Sequence, residues 1–131
     1  MKARLILTVV MLAVLMVFTN CTADSGTAVM CVESQTADGW QMSVQKLNGT
    51  KTVNLSSKTD GKAYTADVKV SADNGTLVVE FIDKKGNTVY TSDIIDGNDT
   101  FTAELPASAY KMKLTAEDFG GMVEAFVSVA E

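Results

Sequence analysis

The sequence predicts an all-β fold, an antiparallel β-sandwich of about seven or eight strands that follows an N-terminal export segment. Three observations carry this expectation. Turn dipeptides recur along the chain: Asp38-Gly39, Asn48-Gly49, Asp60-Gly61, Asn74-Gly75 and Asp96-Gly97, with Lys85-Gly86-Asn87, Gly120-Gly121 and the single Pro106 between or after them. Their spacing, roughly 9 to 14 residues, is the rhythm of short strands and tight turns. Between them, apolar and polar side chains alternate with a period of two. No window of helical length carries an apolar stripe without crossing a glycine turn, so there is no room for the crossover helices of an α/β fold.

Residues 1–20 read as an export signal. Lys2 and Arg4 open the chain, and Leu5 to Phe18 is an uncharged apolar run interrupted only by Thr8. As a helix, such a run reaches about 21 Å, short of a bilayer core of about 30 Å. A basic start followed by a short apolar run at the N-terminus is the pattern of a secretory leader. Phe18-Thr19-Asn20-Cys21 then resembles a bacterial lipoprotein signal, in which the Cys after the apolar run is lipidated and becomes the new N-terminus. The resemblance implies lipidation at Cys21 and attachment to a cell membrane or outer membrane through that N-terminal lipid. Ordinary secretion stays open beside it, with Cys21-Thr22-Ala23 as a small-x-small cleavage site before Asp24.

Residues 21–37 read as a tether with a first edge strand. Thr22 to Thr27 is small and polar, and Ala28-Val29-Met30-Cys31-Val32 is the one apolar patch. A lone Cys31 in that patch is a small buried hydrophobe. A Cys21–Cys31 disulfide requires Cys21 to be retained and unmodified.

Residues 38–131 read as the sandwich domain. Trp40, Met42 and Val44 alternate with Gln41, Ser43 and Gln45, and Val53 pairs with Leu55. Tyr64, Ala66, Val68 and Val70 alternate with Thr65, Asp67 and Lys69. Leu77, Val79 and Phe81 form a further inner face, followed by Phe101, Ala103 and Leu105, then Tyr110, Met112 and Leu114. Val123, Ala125, Val127 and Val129 close the chain. Trp40, the only tryptophan, is expected between the sheets.

The segment Leu105-Pro106-Ala107-Ser108-Ala109-Tyr110-Lys111-Met112-Lys113-Leu114 resembles the late part of immunoglobulin-like and fibronectin-type modules. There, a Leu and a turn precede a Tyr that opens a late strand. The resemblance implies an immunoglobulin-like sandwich with Tyr110 as a corner tyrosine, its hydroxyl bonded to nearby backbone. Five residues separate Leu105 from Tyr110, one fewer than is usual in the fibronectin-type pattern. The stretch from Gly75 to Val129 also looks like the C-terminal module of small secreted bacterial lipoproteins.

Composition narrows the function. The chain contains no His, which excludes a His-based triad, a His-ligated zinc and a His general base. Residues 21–131 carry nine Lys, no Arg and sixteen Asp or Glu, a net charge of −7. Such a surface repels phosphate backbones, so nucleic acid is not an expected partner. It repels anionic lipid as well, and membrane attachment rests on the lipid. Asp93, Asp96, Asn98 and Asp99 crowd one loop and offer oxygen ligands of the kind Ca²⁺ takes, although Asp, Asn and Gly also serve tight turns. No motif of known catalytic mechanics is present, and no cofactor is expected. The expected role is therefore that of an exported, lipid-anchored or secreted cell-envelope protein, binding or structural and not an enzyme, with a protein or glycan partner. Two other readings stand beside it. One is a Ca²⁺-dependent adhesion or sensor module using the acidic loop. The other is a small carboxylate-dependent glycan hydrolase, because the sixteen acids could supply a pair.

Overall fold

The computed structural model describes residues 17–55 and 61–130. These residues form eight strands and are antiparallel wherever they pair: β1 Val17–Asn20, β2 Ser25–Val29, β3 Val32–Gln35, β4 Gly39–Asn54, β5 Tyr64–Ile82, β6 Thr88–Thr91, β7 Asn98–Leu105 and β8 Lys111–Val129. The all-β antiparallel sandwich is the fold of the chain.

Three strands are far longer than the turn spacing suggests. β4, β5 and β8 pair along their whole lengths, with β8 in the middle. Each one bends about halfway, and the pairing slips at the bend: between Val44 and Gly49 in β4 against β8, and between Ala72 and Thr76 in β5 against β8. The buried parity switches at the same place. Trp40, Met42 and Val44 are buried before the bend and Leu47, Val53 and Leu55 after it. In β5 the buried set passes from Tyr64, Ala66, Val68 and Val70 to Leu77, Val79 and Phe81, and in β8 from Met112, Leu114 and Ala116 to Phe119, Val123, Ala125 and Val127. A bulge does both things at once, turning the strand and shifting its alternation by one residue.

The sheet therefore folds over on itself and encloses one continuous core. The first layer runs β1, β3, the first half of β4, the second half of β8, the first half of β5, β7. The second runs β2, the second half of β4, the first half of β8, the second half of β5, β6. The same three strands occupy the centre of both layers, which is the order of a jelly-roll sandwich. An immunoglobulin-like sandwich instead gives its two sheets separate strands. This strand order replaces the immunoglobulin-like arrangement that the Leu105–Leu114 segment implied. The reason is local. Asn48-Gly49, Asn74-Gly75 and Gly120-Gly121 are bends inside strands, not chain reversals. Gly75 and Gly121 take φ of +70° and +150°, and a Cβ at either would collide with a carbonyl oxygen, that of Asp118 or Ser71 respectively. Asp38-Gly39 and Lys85-Gly86 do close hairpins, β3 to β4 and β5 to β6.

The region upstream of residue 38 also differs from the tether expected there. β2 and β3 both pair with β4, and β1 adds to the outer edge of β3. Ser25–Val29 buries almost no side chain. An edge strand of this kind is held by backbone hydrogen bonds, so its small polar composition carries no strand signal. Residues 1–16 of the expected export segment 1–20 lie outside the described residues, and its last four, Val17–Asn20, form β1 on the edge of β3.

Candidate functional site

The described residues bring polar chemistry together in three places. The first is the edge where β2 and β3 meet. Cys21 and Cys31 are both buried there and joined as a disulfide. The Cys21 amide donates to the Cys31 carbonyl at 3.0 Å. A lipid on Cys21 and this bond exclude one another, because each uses the same sulfur. Beside the disulfide, Lys51 points from the inner face of β4 and is only 6% exposed. Its ammonium lies 3.5 Å from Glu33 Oε2 and donates to the Thr22 carbonyl at 3.2 Å. Glu33 Oε2 also accepts the Trp40 indole N–H at 2.9 Å. A buried ammonium is tolerable when a carboxylate and a carbonyl both face it. Trp40 is itself 1% exposed and part of the core.

The second place is the loop cluster at the start of β8. Tyr110 is buried, and its hydroxyl donates to the Pro106 carbonyl four residues upstream. The Tyr110 carbonyl accepts the Leu55 amide at 2.9 Å, which joins this corner to the end of β4. Burial raises the Tyr110 pKa above its ordinary value, and the nearby Asp83 carboxylate adds to the rise.

The third place is the outer face of the first layer. Thr65, Asp67 and Lys69 of β5, Gln41 and Ser43 of β4, and Glu124 of β8 share it with Thr102 of β7. Thr102 Oγ1 donates to Asp67 Oδ1 at 2.8 Å. On this surface stands Phe126, 41% exposed, its flanking residues polar, while Met122 and Val32 are exposed further along the same face. Its pairing partners are Gly39 on one side and Asp67 on the other. The ring rests directly over Gly39, in space that any Cβ would fill. It borders a shallow crevice with Ser34, Thr36 and Gln41.

The acidic loop is used otherwise. Asn98 Oδ1 accepts from Ser71 Oγ at 3.0 Å, and Asp99 Oδ1 accepts the Thr100 amide at 2.9 Å. Asp93 offers its backbone carbonyl to Ser92 Oγ. Asp96 sits in the same connection between β6 and β7. Among the described residues, no three His, Cys, Asp or Glu side chains gather in a metal-binding group. Lys51, Glu33 and Phe126 are site residues that the sequence reading passed over. A signal existed for two of them. Lys51 breaks an inward-facing apolar register before Val53 and Leu55, and Phe126 breaks an outward-facing polar one between Glu124 and Ser128.

No family model and no curated protein matches the sequence. Several solved structures align with much of the chain. The disulfide-linked pili of Bacillus endospore appendages align at 15% identity and a TM-score of 0.47, over 86% of this chain and 100% of that one. A CBM4 module aligns at 12% identity and a TM-score of 0.42, over 75% of each chain. The pre-peptidase C-terminal domain of a collagenase from Bacillus anthracis aligns at 15% and 0.43, over 69% of this chain and 87% of that one. Likenesses this slight do not say what this chain does.

Proposed function

We propose that this protein is an exported, non-catalytic β-sandwich that binds a glycan chain on the outer face of its first layer. The observation that carries the reading is Phe126. An aromatic ring set in a polar sheet face, seated over a glycine and left 41% exposed, offers an apolar platform for the C–H face of a sugar. Gln41, Asp67, Lys69 and Glu124 flank it with the hydrogen-bonding groups that hydroxyls require. The non-catalytic part rests on how the acids are employed. Glu33 and Asp118 form ion pairs, Asp67 accepts from a threonine, and Asp83 and Asp99 accept backbone amides. Export is supported by the basic-then-apolar start of the chain and by a disulfide, a bond that persists in oxidising compartments.

Affinity electrophoresis against a panel of soluble neutral polysaccharides tests the reading. At least one should retard the protein, and Phe126→Ala should abolish the retardation while leaving the melting temperature within about 2 °C, as expected of a change at a half-exposed site. A protein that no polysaccharide retards, or a variant retarded like the parent, refutes it. Intact mass of the exported chain separates the two uses of Cys21: the disulfide lacks two hydrogens relative to the dithiol, whereas a lipid adds acyl mass.

A further inference from the structure

Residues 17–24 form a strap along one edge of the sandwich. Among the described residues, β1 pairs with β3 alone. Cys21 is then tied to Cys31, the Thr22 carbonyl caps the Lys51 ammonium, and the Asp24 amide donates to the Thr50 carbonyl at 2.7 Å. Because β1 edges the first layer and β2 edges the second, this segment crosses from one layer to the other. Beneath it, the Lys51–Glu33 pair makes the same crossing between side chains, with Lys51 on the second-layer half of β4 and Glu33 on β3. The side chain of Lys51 is 7% exposed and that of Glu33 20%.

Among the described residues the strap has one covalent tie, and its other ties are a short edge ladder and three single hydrogen bonds. We propose that the Cys21–Cys31 disulfide is a redox lock on this strap. Oxidised, it keeps the outer edge of β3 paired and Lys51 covered. A dithiol reductant transfers two electrons and two protons to the bond, leaves two thiols, and closes to its own disulfide. The strap then comes away, β3 becomes an edge strand with unpaired backbone groups, and the Lys51–Glu33 pair opens to water. β4, β5 and β8 keep their mutual pairing in both states, so the sandwich survives the change. In a strand flanked on both sides, alternate amides face each neighbour, so half of the β3 amides report on β1 and half on β4.

Hydrogen–deuterium exchange on the full chain, with and without dithiothreitol, reads this directly. Reduction should speed exchange at least tenfold in residues 17–24 and in the β1-facing amides of Val32–Gln35, and leave residues 111–129 unchanged. Cys31→Ser should reproduce that pattern without reductant. Lys51→Met, which keeps the disulfide, should keep β3 protected while oxidised. Equal protection of β3 in both redox states overturns the lock. So does loss of protection spreading through 111–129, which would make the bond a staple of the whole fold. An exported chain acylated at Cys21, or cleaved anywhere between Val17 and Asp24, also overturns it, because the lock needs both β1 and Cys21. None of these readouts touches Phe126, so the lock and the glycan reading stand or fall separately.

Discussion

Tyr110 ties three segments together through one residue. Its ring is in the core, its hydroxyl holds the Pro106 turn, and its carbonyl holds the end of β4. Tyr110→Phe keeps the ring and removes one hydrogen bond, so urea melts should show a loss of about 0.5–1.5 kcal/mol with an unchanged slope. The same hydroxyl gives the stability a pH dependence. Its folded-state pKa lies above the unfolded value, so the neutral form is favoured in the native state. That stability is fully present below the ordinary tyrosine pKa of about 10 and is lost as pH rises through the folded pKa. Tyr110→Phe should flatten this alkaline fall in a series of melts taken up to about pH 11. Trp40 should emit at a short wavelength in the native protein, and Trp40→Ala should cost about 3–5 kcal/mol, because it empties a core position and leaves Glu33 one donor short. Ser34 makes the opposite prediction. Its hydroxyl is buried without a hydrogen-bond partner, and Ser34→Ala should stabilise the protein by about 1 kcal/mol in the same melts.

At the scale of the strands, the bends decide the architecture. Met30 and Asp118, the two non-glycine residues with positive φ among the described residues, both lie where the sheet turns over, at the β2–β3 break and near the middle of β8. Lys46 and Asp118 join across that line at 3.4 Å, a surface pair of little consequence for stability. The glycines carry more. Gly121→Ala should cost about 3 kcal/mol or more, since its Cβ would meet the Ser71 carbonyl in an unfavourable backbone region. Gly86→Ala is the control: φ is also positive there, but its Cβ would enter open space, and the cost should stay near 1–2 kcal/mol. Similar losses for the two variants would remove the bend as their explanation. These positions also explain what the sequence could and could not reveal. Period-two alternation marks a strand whatever its neighbours, so Tyr64–Val70 and Lys111–Leu114 were legible. An Asn-Gly pair meets the same backbone demand in a hairpin and in a bulge, so Asn74-Gly75 could not say whether the chain reverses or continues. Edge strands such as Ser25–Val29 were illegible because their partners supply the stability.

At the scale of the whole molecule, the inner faces of both layers merge into one core, from Trp40 and Val123 in the first to Phe81 and Leu114 in the second. Membership of that core was readable from alternation alone. The surface was not, because an outward Phe126 has meaning only once Gly39 is known to lie beside it. β8 is the last strand of the chain and the central one in both layers. Deleting residues 121–131 should therefore abolish cooperative unfolding, whereas losing the β1 pairing at the outer edge of β3 should not; circular dichroism during a urea titration distinguishes the two. The position of β8 also sets a timetable. A chain emerging N-terminus first, from a ribosome or through a membrane pore, presents β4 and β5 long before the strand that separates them exists outside. These two cannot complete their ladders by pairing with each other without taking the wrong neighbour. Neither layer can close until β8 is free to pair, and assembly through such distant contacts is slow. A sandwich whose central strand follows both of its neighbours in sequence closes only once all three are free to pair.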